Sequence, residues 1–233
     1  HTRCSGVSWA GDVYKRQQSA EPGQARPFAG YAARREEVIL ALDRTIGERL
    51  LRHPVMATLY GTEQVDTFLA SRAEIGIVAN ISLRHVAELV RTLTRRNKLI
   101  VLNIDSCEGL SQDKGAIEFL SEAGISVLLS TRVPTIQKAA QCGLLTMQKV
   151  FVTDRSTWPR SVKAVSQSSP NLVQLMPAPM LAHIPADDRK RMPPAVASGF
   201  ICTQADAQAA LKMGAVAVSS SNAALWNMER PAL

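Results

Sequence analysis

The sequence predicts an α/β protein, a closed (β/α)8 barrel with an N-terminal helical extension. Eight short apolar runs of the kind that form buried strands recur about every 20 to 25 residues. They are PVMATL, EIGIVA, KLIVLNI, ISVLLS, LLTMQKVFV, NLVQLM, AVAS and AVAV. Amphipathic stretches such as LRHVAELVRTLTRR separate most of these runs. Continuous apolar strands that alternate with helices indicate a parallel sheet, and eight such units favour a closed barrel.

The composition favours one soluble domain. The chain has 233 residues, of which 46% are hydrophobic, and this is long enough for one well-buried domain. Its longest apolar runs have about five residues, whereas a membrane helix requires roughly 20. The four cysteines have no paired spacing, so neither a disulfide framework nor a metal site is expected, and a cytoplasmic location fits.

The N-terminal segments differ in character from the rest of the chain. Residues 1–17, HTRCSGVSWAGDVYKRQ, lack hydrophobic periodicity, and DVYKRQ back-translates to a transposon end used in sequencing-library adapters. We therefore expect this segment to be a translated adapter that contributes nothing to the fold. The predicted organisation is a disordered segment over 1–33, a helix over 34–52 at the bottom of the barrel, the barrel over 53–226 and a tail over 227–233.

The stretch from residue 193 to 226 contains two consecutive strand-then-helix units. The first strand ends at Ser198 and Gly199, and the second is followed by Ser219, Ser220, Ser221 and Asn222. Small residues at the ends of adjacent parallel strands, followed by helix N-termini, suit a phosphate group. In a (β/α)8 barrel, the loops after strands 7 and 8 are the usual phosphate site. The alternative is that these residues only form tight turns.

Polar residues at the C-terminal ends of the other strands are the remaining candidates for ligand binding. They are Asn103 and Asp105 after the third strand, Arg132 after the fourth, Gln148 and Lys149 in the fifth, Asp154 after it, and Gln174 in the sixth. Arg132 is the leading candidate, because a guanidinium can form a bidentate pair with a carboxylate or phosphate. The alternative for Arg132 is a salt bridge to Asp105 or Asp154.

The formal net charge of +7 suits an anionic partner, such as nucleic acid or a phosphorylated metabolite, and basic residues cluster in two groups that could contact such a partner. Arg84, Arg91 and Arg95 lie on or after the second helix of the barrel, and Arg189, Lys190 and Arg191 follow the sixth strand. The alternative is that each group is a solvated surface.

Several segments resemble the glycerol-3-phosphate-responsive antiterminator family. They are LNIDSCEGLSQDKGAIEFL, GISVLLSTRVPTIQKAAQCGLLTMQKVFVTD, PNLVQLMPAPM, ASGFICT and GAVAVSSSNAALW. The resemblance implies a small TIM-type barrel that binds the effector glycerol 3-phosphate without a cofactor or metal. It also implies action on leader mRNA that prevents transcription termination of glycerol utilisation genes, without catalysis. A homodimer is left open.

The resemblance carries over, residue by residue, to these positions of the site: Asp105 and Gly109, Ser130, Thr131 and Arg132, Asp154, Gly199 and the segment 219–222. The chain departs from the family pattern at five positions: Asn103 replaces a histidine, Lys149 an arginine, Gln174 a glutamate, Ser198 a glycine and Phe200 a leucine. These departures concern the ligand more than the fold.

Two other classes of function stay open. One is a phosphosugar isomerase, epimerase or aldolase on the same barrel, since one fold hosts many chemistries. Asp105, Asp154 and Lys149 are a poor set for proton transfer, although Lys149 could form a Schiff base. The other class is a regulator that binds protein instead of RNA.

Overall fold

The computed structural model describes residues 37–39 and 41–230, and within them eight parallel strands close into a barrel. Each strand pairs with the one before and after it in the chain, and the eighth strand pairs with the first. The strands are β1 (Val55–Tyr60), β2 (Ile75–Ala79), β3 (Leu99–Asn103), β4 (Val127–Ser130), β5 (Leu145–Phe151), β6 (Leu172–Met176), β7 (Ala195–Ser198) and β8 (Ala217–Ser220). The predicted (β/α)8 fold is therefore confirmed.

Helices precede and connect the strands. They are α1 (Arg44–Arg52), α2 (Val65–Ala70), α3 (Leu83–Thr94), α4 (Lys114–Glu122), α5 (Val133–Gln141), α6 (Trp158–Ser168), α7 (Ala186–Arg191) and α8 (Gln204–Lys212). Short 3-10 helices follow β3, β6 and β8, at Ile104–Ser106, Ala178–His183 and Ala223–Leu225. Two two-residue strands, Ile81–Ser82 and Cys107–Glu108, form a separate parallel pair. None of the helices in the described part of the chain is long and apolar enough to cross a membrane.

Alternate strand residues face two separate hydrophobic cores. Along β5, Met147 packs inside the barrel, whereas Val150 packs between the barrel and the helices. β2, β3 and β4 are buried along their whole length, which explains why they appear in the sequence as continuous apolar runs.

Helix α1 closes the N-terminal end of the barrel. Its buried residues Ile46 and Leu50 pack with Ile39 into the core inside the barrel. The predicted single helix over 34–52 is interrupted, because residues 37–39 are helical but a turn follows before Asp43 caps α1 by accepting a hydrogen bond from Thr45 N (2.8 Å). The two segments pack closely, since a Cβ on Gly47 would lie 2.6 Å from the Ile39 carbonyl oxygen.

Two further predictions of segment boundaries change. The predicted tail is attached to the barrel over 227–230: Asn227 accepts a hydrogen bond from Arg72 N (2.8 Å), and Arg230 donates to the carbonyl of Leu50. The last strand lies two residues later than the run AVAV, because Ser219 and Ser220 pair with β7 and β1. The predictions of disorder over 1–33 and of an adapter over 1–17 lie outside the described residues.

The two ends of the barrel differ in charge. At the N-terminal end of the barrel we count residues 41–54, which include α1, and residues 226–230. We also count each later segment between a helix and the following strand, together with the last residue of that helix. These carry ten cations and five anions: Arg44, Arg49, Arg52, Arg72, Arg95, Arg96, Lys98, Arg191, Lys212 and Arg230 against Asp43, Glu48, Glu74, Glu122 and Glu229. At the C-terminal end we count each segment between a strand and the next helix, together with the first residue of that helix. These segments carry three cations and five anions: Lys114, Arg132 and Arg155 against Glu63, Asp105, Glu108, Asp113 and Asp154.

We predict that Leu50→Ala lowers the free energy of unfolding by about 2–5 kcal/mol, because it leaves a cavity inside the barrel. Chemical denaturation measures this change. The control is Arg44→Ala on the exposed side of α1, which should change stability by less than about 0.5 kcal/mol. Equal stability of the two variants would show that α1 is not part of the cooperative barrel core.

Candidate functional site

A pocket of about 170 Å³ opens at the C-terminal end of the barrel. Eight predicted residues line it: Asn103, Lys149, Gln174, Ser198, Gly199, Ser219, Ser220 and Ser221. Eight others also line it: Thr58, Tyr60, Ile77, Ala79, Met176, Phe200, Ile201 and Cys202. The structure therefore brings residues of β3, β5 and β6 together with the loops after β7 and β8.

The alternation of side chains along the strands selects which polar residues reach the pocket. Met147 and Leu172 pack inside the barrel. Lys149 lies two residues after Met147, and Gln174 lies two residues after Leu172. Asn103 follows Val101 in the same way. The polar residues thus continue the inward-facing rows of apolar residues up to the open end.

A buried polar cluster forms the wall of the pocket at β6, β7 and β8. Gln174 Nε2 donates to the hydroxyl oxygens of Ser198 and Ser219, each at 3.3 Å, and Ser219 donates to Ser198 at 2.7 Å. Gln174 is only 3% exposed, yet its Oε1 atom has no hydrogen-bond partner among the described residues. Because a buried polar atom without a partner is costly, Gln174 Oε1 is a candidate acceptor for a ligand donor.

Asn103 presents a second acceptor of the same kind. The residue is 5% exposed, and its Oδ1 atom also lacks a hydrogen-bond partner within the described part of the chain. Asn103 and Gln174 both line the pocket. The pocket thus offers two amide oxygens that a ligand carrying hydroxyl groups can satisfy.

Lys149 provides positive charge inside the pocket. Burial lowers the pKa of its amine, and the charge of Asp105 opposes this effect only in part. The amine forms no ion pair with any carboxylate of residues 37–39 and 41–230. An anionic ligand would therefore supply the charge partner that this part of the protein does not.

The loops after β7 and β8 are joined to each other beside the pocket. Ser220 Oγ donates to the carbonyl of Ile201 at 2.7 Å, and Asn222 Nδ2 donates to the carbonyl of Cys202 at 2.8 Å. Gly199 has a φ of +77°, which favours glycine, and Phe200 has a φ of +58° although it carries a side chain. Phe200 is 73% exposed at the pocket, so an unusual backbone conformation and an exposed aromatic ring coincide there.

Asp105 lies outside the pocket lining and connects the ends of β3 and β4. Its carboxylate accepts hydrogen bonds from Ser130 Oγ (2.7 Å), Thr131 N (2.6 Å) and Thr131 Oγ1 (2.7 Å). Burial alone would raise the pKa of Asp105, but these hydrogen bonds and the charge of Arg132 outweigh burial and lower it. Asp105 is thus an ionised structural group that orders the loop after β4.

Four other predicted ligand residues also lie outside the pocket lining. Gln148 is buried on the outer side of β5, where it accepts a hydrogen bond from Ser168, because it is one residue out of phase with Lys149. Asp154 accepts hydrogen bonds from Ser156 and Thr157 at the start of α6, and these lower its pKa to about 2. Asn222 joins the loops after β7 and β8. The fourth of these residues is Arg132. Direct contact of these four residues with a ligand stays a prediction.

Arg132 does not form the alternative salt bridge among the described residues, and its contact with a ligand stays a prediction. It is exposed at the end of β4, its backbone N–H donates to Ser130 Oγ at 3.1 Å, and it lies outside the pocket lining. Its guanidinium has no ion pair with Asp105, Asp154 or another carboxylate in the described part of the chain.

Sequence reasoning missed Thr58, Tyr60 and Phe200. The inward register of β1 would have found Thr58, which is two residues after the core residue Met56. The only signal for Phe200 was its departure from the leucine of the family pattern, and its position at the pocket depends on the positive φ at residues 199 and 200. No group of three or more potential metal ligands exists among the residues that the structure describes.

Comparisons with known proteins identify the family. The family model described as glycerol-3-phosphate responsive antiterminator matches residues 55–226. The structure of a glycerol uptake operon antiterminator regulatory protein from Listeria monocytogenes matches with a TM-score of 0.69 and 25% identity, over 74% of this chain and 94% of that one. An antiterminator-related protein from Thermotoga maritima matches with a TM-score of 0.66 and 19% identity, over 76% of this chain and 99% of that one.

The remaining matches carry less functional information. The uncharacterized protein YgcP of Escherichia coli is 24% identical over 79% of this chain and 97% of its own length. Two solved aldolases match at 14% identity with a TM-score of 0.56, which shows a common fold alone. On the family match, which spans the whole barrel, the chain belongs to the glycerol-3-phosphate responsive antiterminator family.

Proposed function

We propose that this chain is a glycerol-3-phosphate-sensing regulator that binds leader mRNA and prevents transcription termination of glycerol utilisation genes. The observation that carries the proposal is the pocket, which combines one partly buried lysine, two amide oxygens without a hydrogen-bond partner among the described residues, and a group of serines. Its volume of about 170 Å³ is below the roughly 300–1,000 Å³ of pockets for drug-sized ligands, so it suits a small metabolite.

The chemistry of the pocket matches the two halves of glycerol 3-phosphate. A phosphate group is an acceptor with negative charge, which suits the Lys149 amine and the small residues after β7 and β8. Asn103 Oδ1 and Gln174 Oε1 require donors, which a phosphate dianion lacks and the glycerol hydroxyl groups supply. In this proposal the phosphate lies towards Lys149 and the serines, and the hydroxyl groups lie towards the two amides.

The second candidate function is an aldolase-type enzyme, which the pKa of Lys149 favours. A desolvated lysine amine is the group that forms an imine with a carbonyl substrate. The titratable residues that line the pocket are Tyr60, Lys149 and Cys202, and both nearby aspartates are engaged in hydrogen bonds outside it. This set lacks a carboxylate or histidine for proton transfer, and membership of a regulator family also favours an effector over a substrate.

An effector must favour the RNA-binding form of the protein. The loop after β6 contacts the loop after β7, since Ala178 N donates to the Gly199 carbonyl at 3.3 Å. The loop after β6 then continues into α7. Ordering of Gly199 by a ligand can therefore act on the segment that carries Arg189, Lys190 and Arg191. By linkage, the effector and RNA must raise each other's affinity by the same factor.

We predict that glycerol 3-phosphate at about 100 times its Kd stabilises the fold by roughly 2.7 kcal/mol, whereas glycerol at the same concentration has far less effect. Thermal unfolding measures both effects. Lys149→Met should weaken binding of the ester about ten- to a hundredfold, because it removes a charge-assisted hydrogen bond. Gln148→Leu on the outer side of β5 is the matched control and should leave the affinity unchanged.

Chromatography of the same samples separates the two candidate functions. The ester should be recovered unchanged after incubation with the protein. Equal stabilisation by glycerol and its phosphate would contradict the proposed site, and consumption of the ester would favour the enzyme.

We also predict that affinity for the ester falls as the pH rises through the lowered pKa of Lys149 in the free protein. In the free protein burial lowers the pKa of Lys149, and a bound phosphate dianion would raise it again. Between these two pKa values the complex holds one more proton than the free protein, so binding takes up a proton and weakens with increasing pH. Calorimetry in buffers of different ionisation enthalpy measures the uptake. Proton release, or the same uptake by Lys149→Met, would contradict this role of Lys149.

A further inference from the structure

The N-terminal end of the barrel carries the surplus positive charge of the described chain, at the end opposite the pocket. We call this end the basal surface, defined by Arg52, Arg72, Arg95, Arg96, Arg191 and Lys212. These six side chains are exposed or partly exposed, and all belong to α1 or to segments that lead into strands. The opposite end has more anions than cations, so the charge of the protein is polarised along the barrel axis.

Ion pairs account for only part of this charge. Arg52 pairs with Glu74 at 2.7 Å, and Arg72 pairs with Glu229. Arg95, Arg96, Arg191 and Lys212 are exposed or partly exposed and form no ion pair with a described carboxylate. The basal surface therefore keeps four cations without a carboxylate partner in the described chain.

Helix dipoles explain some of these cations but not their surplus. Arg191 and Lys212 are the last residues of α7 and α8, where a cation interacts favourably with the helix C-terminus. Arg96 lies beyond the C-cap of α3, and Arg72 lies beyond that of α2. Other cations at this end of the barrel have structural roles. Lys98, for example, donates hydrogen bonds to the carbonyls of Ser71 and Ala73.

The basal cations form an arc, and the two in its middle, Arg52 and Arg72, are the ones paired with carboxylates. Arg191 and Lys212 precede the adjacent strands β7 and β8, Arg52 precedes β1, Arg72 precedes β2, and Arg95 and Arg96 precede β3. These five strands are consecutive neighbours around the barrel. With strands about 4.8 Å apart, the arc extends over roughly 20 Å, a length suited to several successive phosphates.

The type of nucleic acid follows from where the exposed aromatic residues lie. In the part of the chain that the structure describes, the large exposed hydrophobic side chains are Tyr60, Phe151 and Phe200 at the opposite end and Phe119 within α4. Recognition of unpaired bases relies on aromatic stacking, whereas paired RNA is recognised mainly through its shape, phosphates and 2′-hydroxyl groups. The basal surface therefore suits the phosphates of a base-paired stem.

We infer that the basal surface binds the phosphate backbone of a base-paired RNA stem, at the end of the barrel opposite the effector pocket. This inference rests on the proposed function. It adds which surface of the protein binds the RNA and that the bound RNA is base-paired. Of the predicted RNA-binding residues, Arg95 and Arg191 belong to this surface. Arg84 lies at the start of α3, at the pocket end, and Arg91 lies one turn before the end of that helix.

The test compares two triple variants of the full chain that remove the same charge. The basal variant is Arg95→Gln, Arg96→Gln and Lys212→Gln, and the control is Arg155→Gln, Arg160→Gln and Lys163→Gln at the start of α6, where the three side chains are exposed or partly exposed. The probe is a labelled RNA hairpin of arbitrary sequence with a stem of about 16 base pairs. Its affinity is measured by fluorescence anisotropy over a salt series that begins at about 50 mM.

We expect the basal variant to bind the hairpin at least about tenfold more weakly at the lowest salt concentration. Its salt slope should become shallower by about 0.9 for each RNA phosphate that the variant no longer neutralises. The control should keep the wild-type affinity and slope. Stabilisation by glycerol 3-phosphate should be the same in the wild type and both variants. A failure of the proposed effector site is therefore measured separately from a failure of RNA binding at the basal surface.

Four outcomes would overturn the inference. Equal losses of affinity in the two variants would mean that RNA responds to overall charge, and unchanged affinity in the basal variant would mean that RNA binds elsewhere. Tighter binding of an unpaired RNA of equal length would contradict the stem. Absence of hairpin binding at the lowest salt, with binding of polyglutamate that the basal variant abolishes, would instead indicate an acidic protein partner.

Discussion

Closure of eight parallel strands fixes which side of each strand faces the barrel interior, and the pocket depends on this constraint. Each strand contributes apolar inward residues along its length, and near the C-terminal ends of β3, β5 and β6 the same rows continue as Asn103, Lys149 and Gln174. A shift of one residue in any of these strands would turn that side chain towards the helices. The chemistry of the site is therefore set by strand register before any loop is considered.

The same constraint explains what the sequence could predict. Apolar runs predicted all eight strands, and proximity to strand ends predicted Asn103, Lys149, Gln174 and the serines at the ends of β7 and β8, all of which line the pocket. Gln148 lies outside the pocket lining because it is one residue out of phase with the inward register of β5. The sequence alone could not assign the roles of Asp105 and Asp154, because a carboxylate at a strand end can serve either a ligand or the next loop, and only the hydrogen-bond partners distinguish these roles.

Under the proposals above, the polarised charge of the barrel would place effector binding and RNA binding at opposite ends of the barrel. Short polar residues line the pocket at one end, and α1 covers the other end next to the basal cations. The two ends share one packed core: Ile77 lines the pocket and belongs to the same interior cluster as Ile46 and Leu50 of α1. This continuity provides a physical route for coupling, while the extent of coupling is a free energy that only binding measurements give.

In the mechanism proposed above, a phosphorylated polyol in the pocket controls binding to RNA. The decisive measurement is a titration of the glycerol operon leader RNA at fixed salt, with and without saturating glycerol 3-phosphate. We expect the ester to raise RNA affinity, within the roughly 5- to 150-fold range that is typical of coupled sites, and RNA to raise affinity for the ester by the same factor. Equal RNA affinity in the presence and absence of a bound ester would contradict this mechanism.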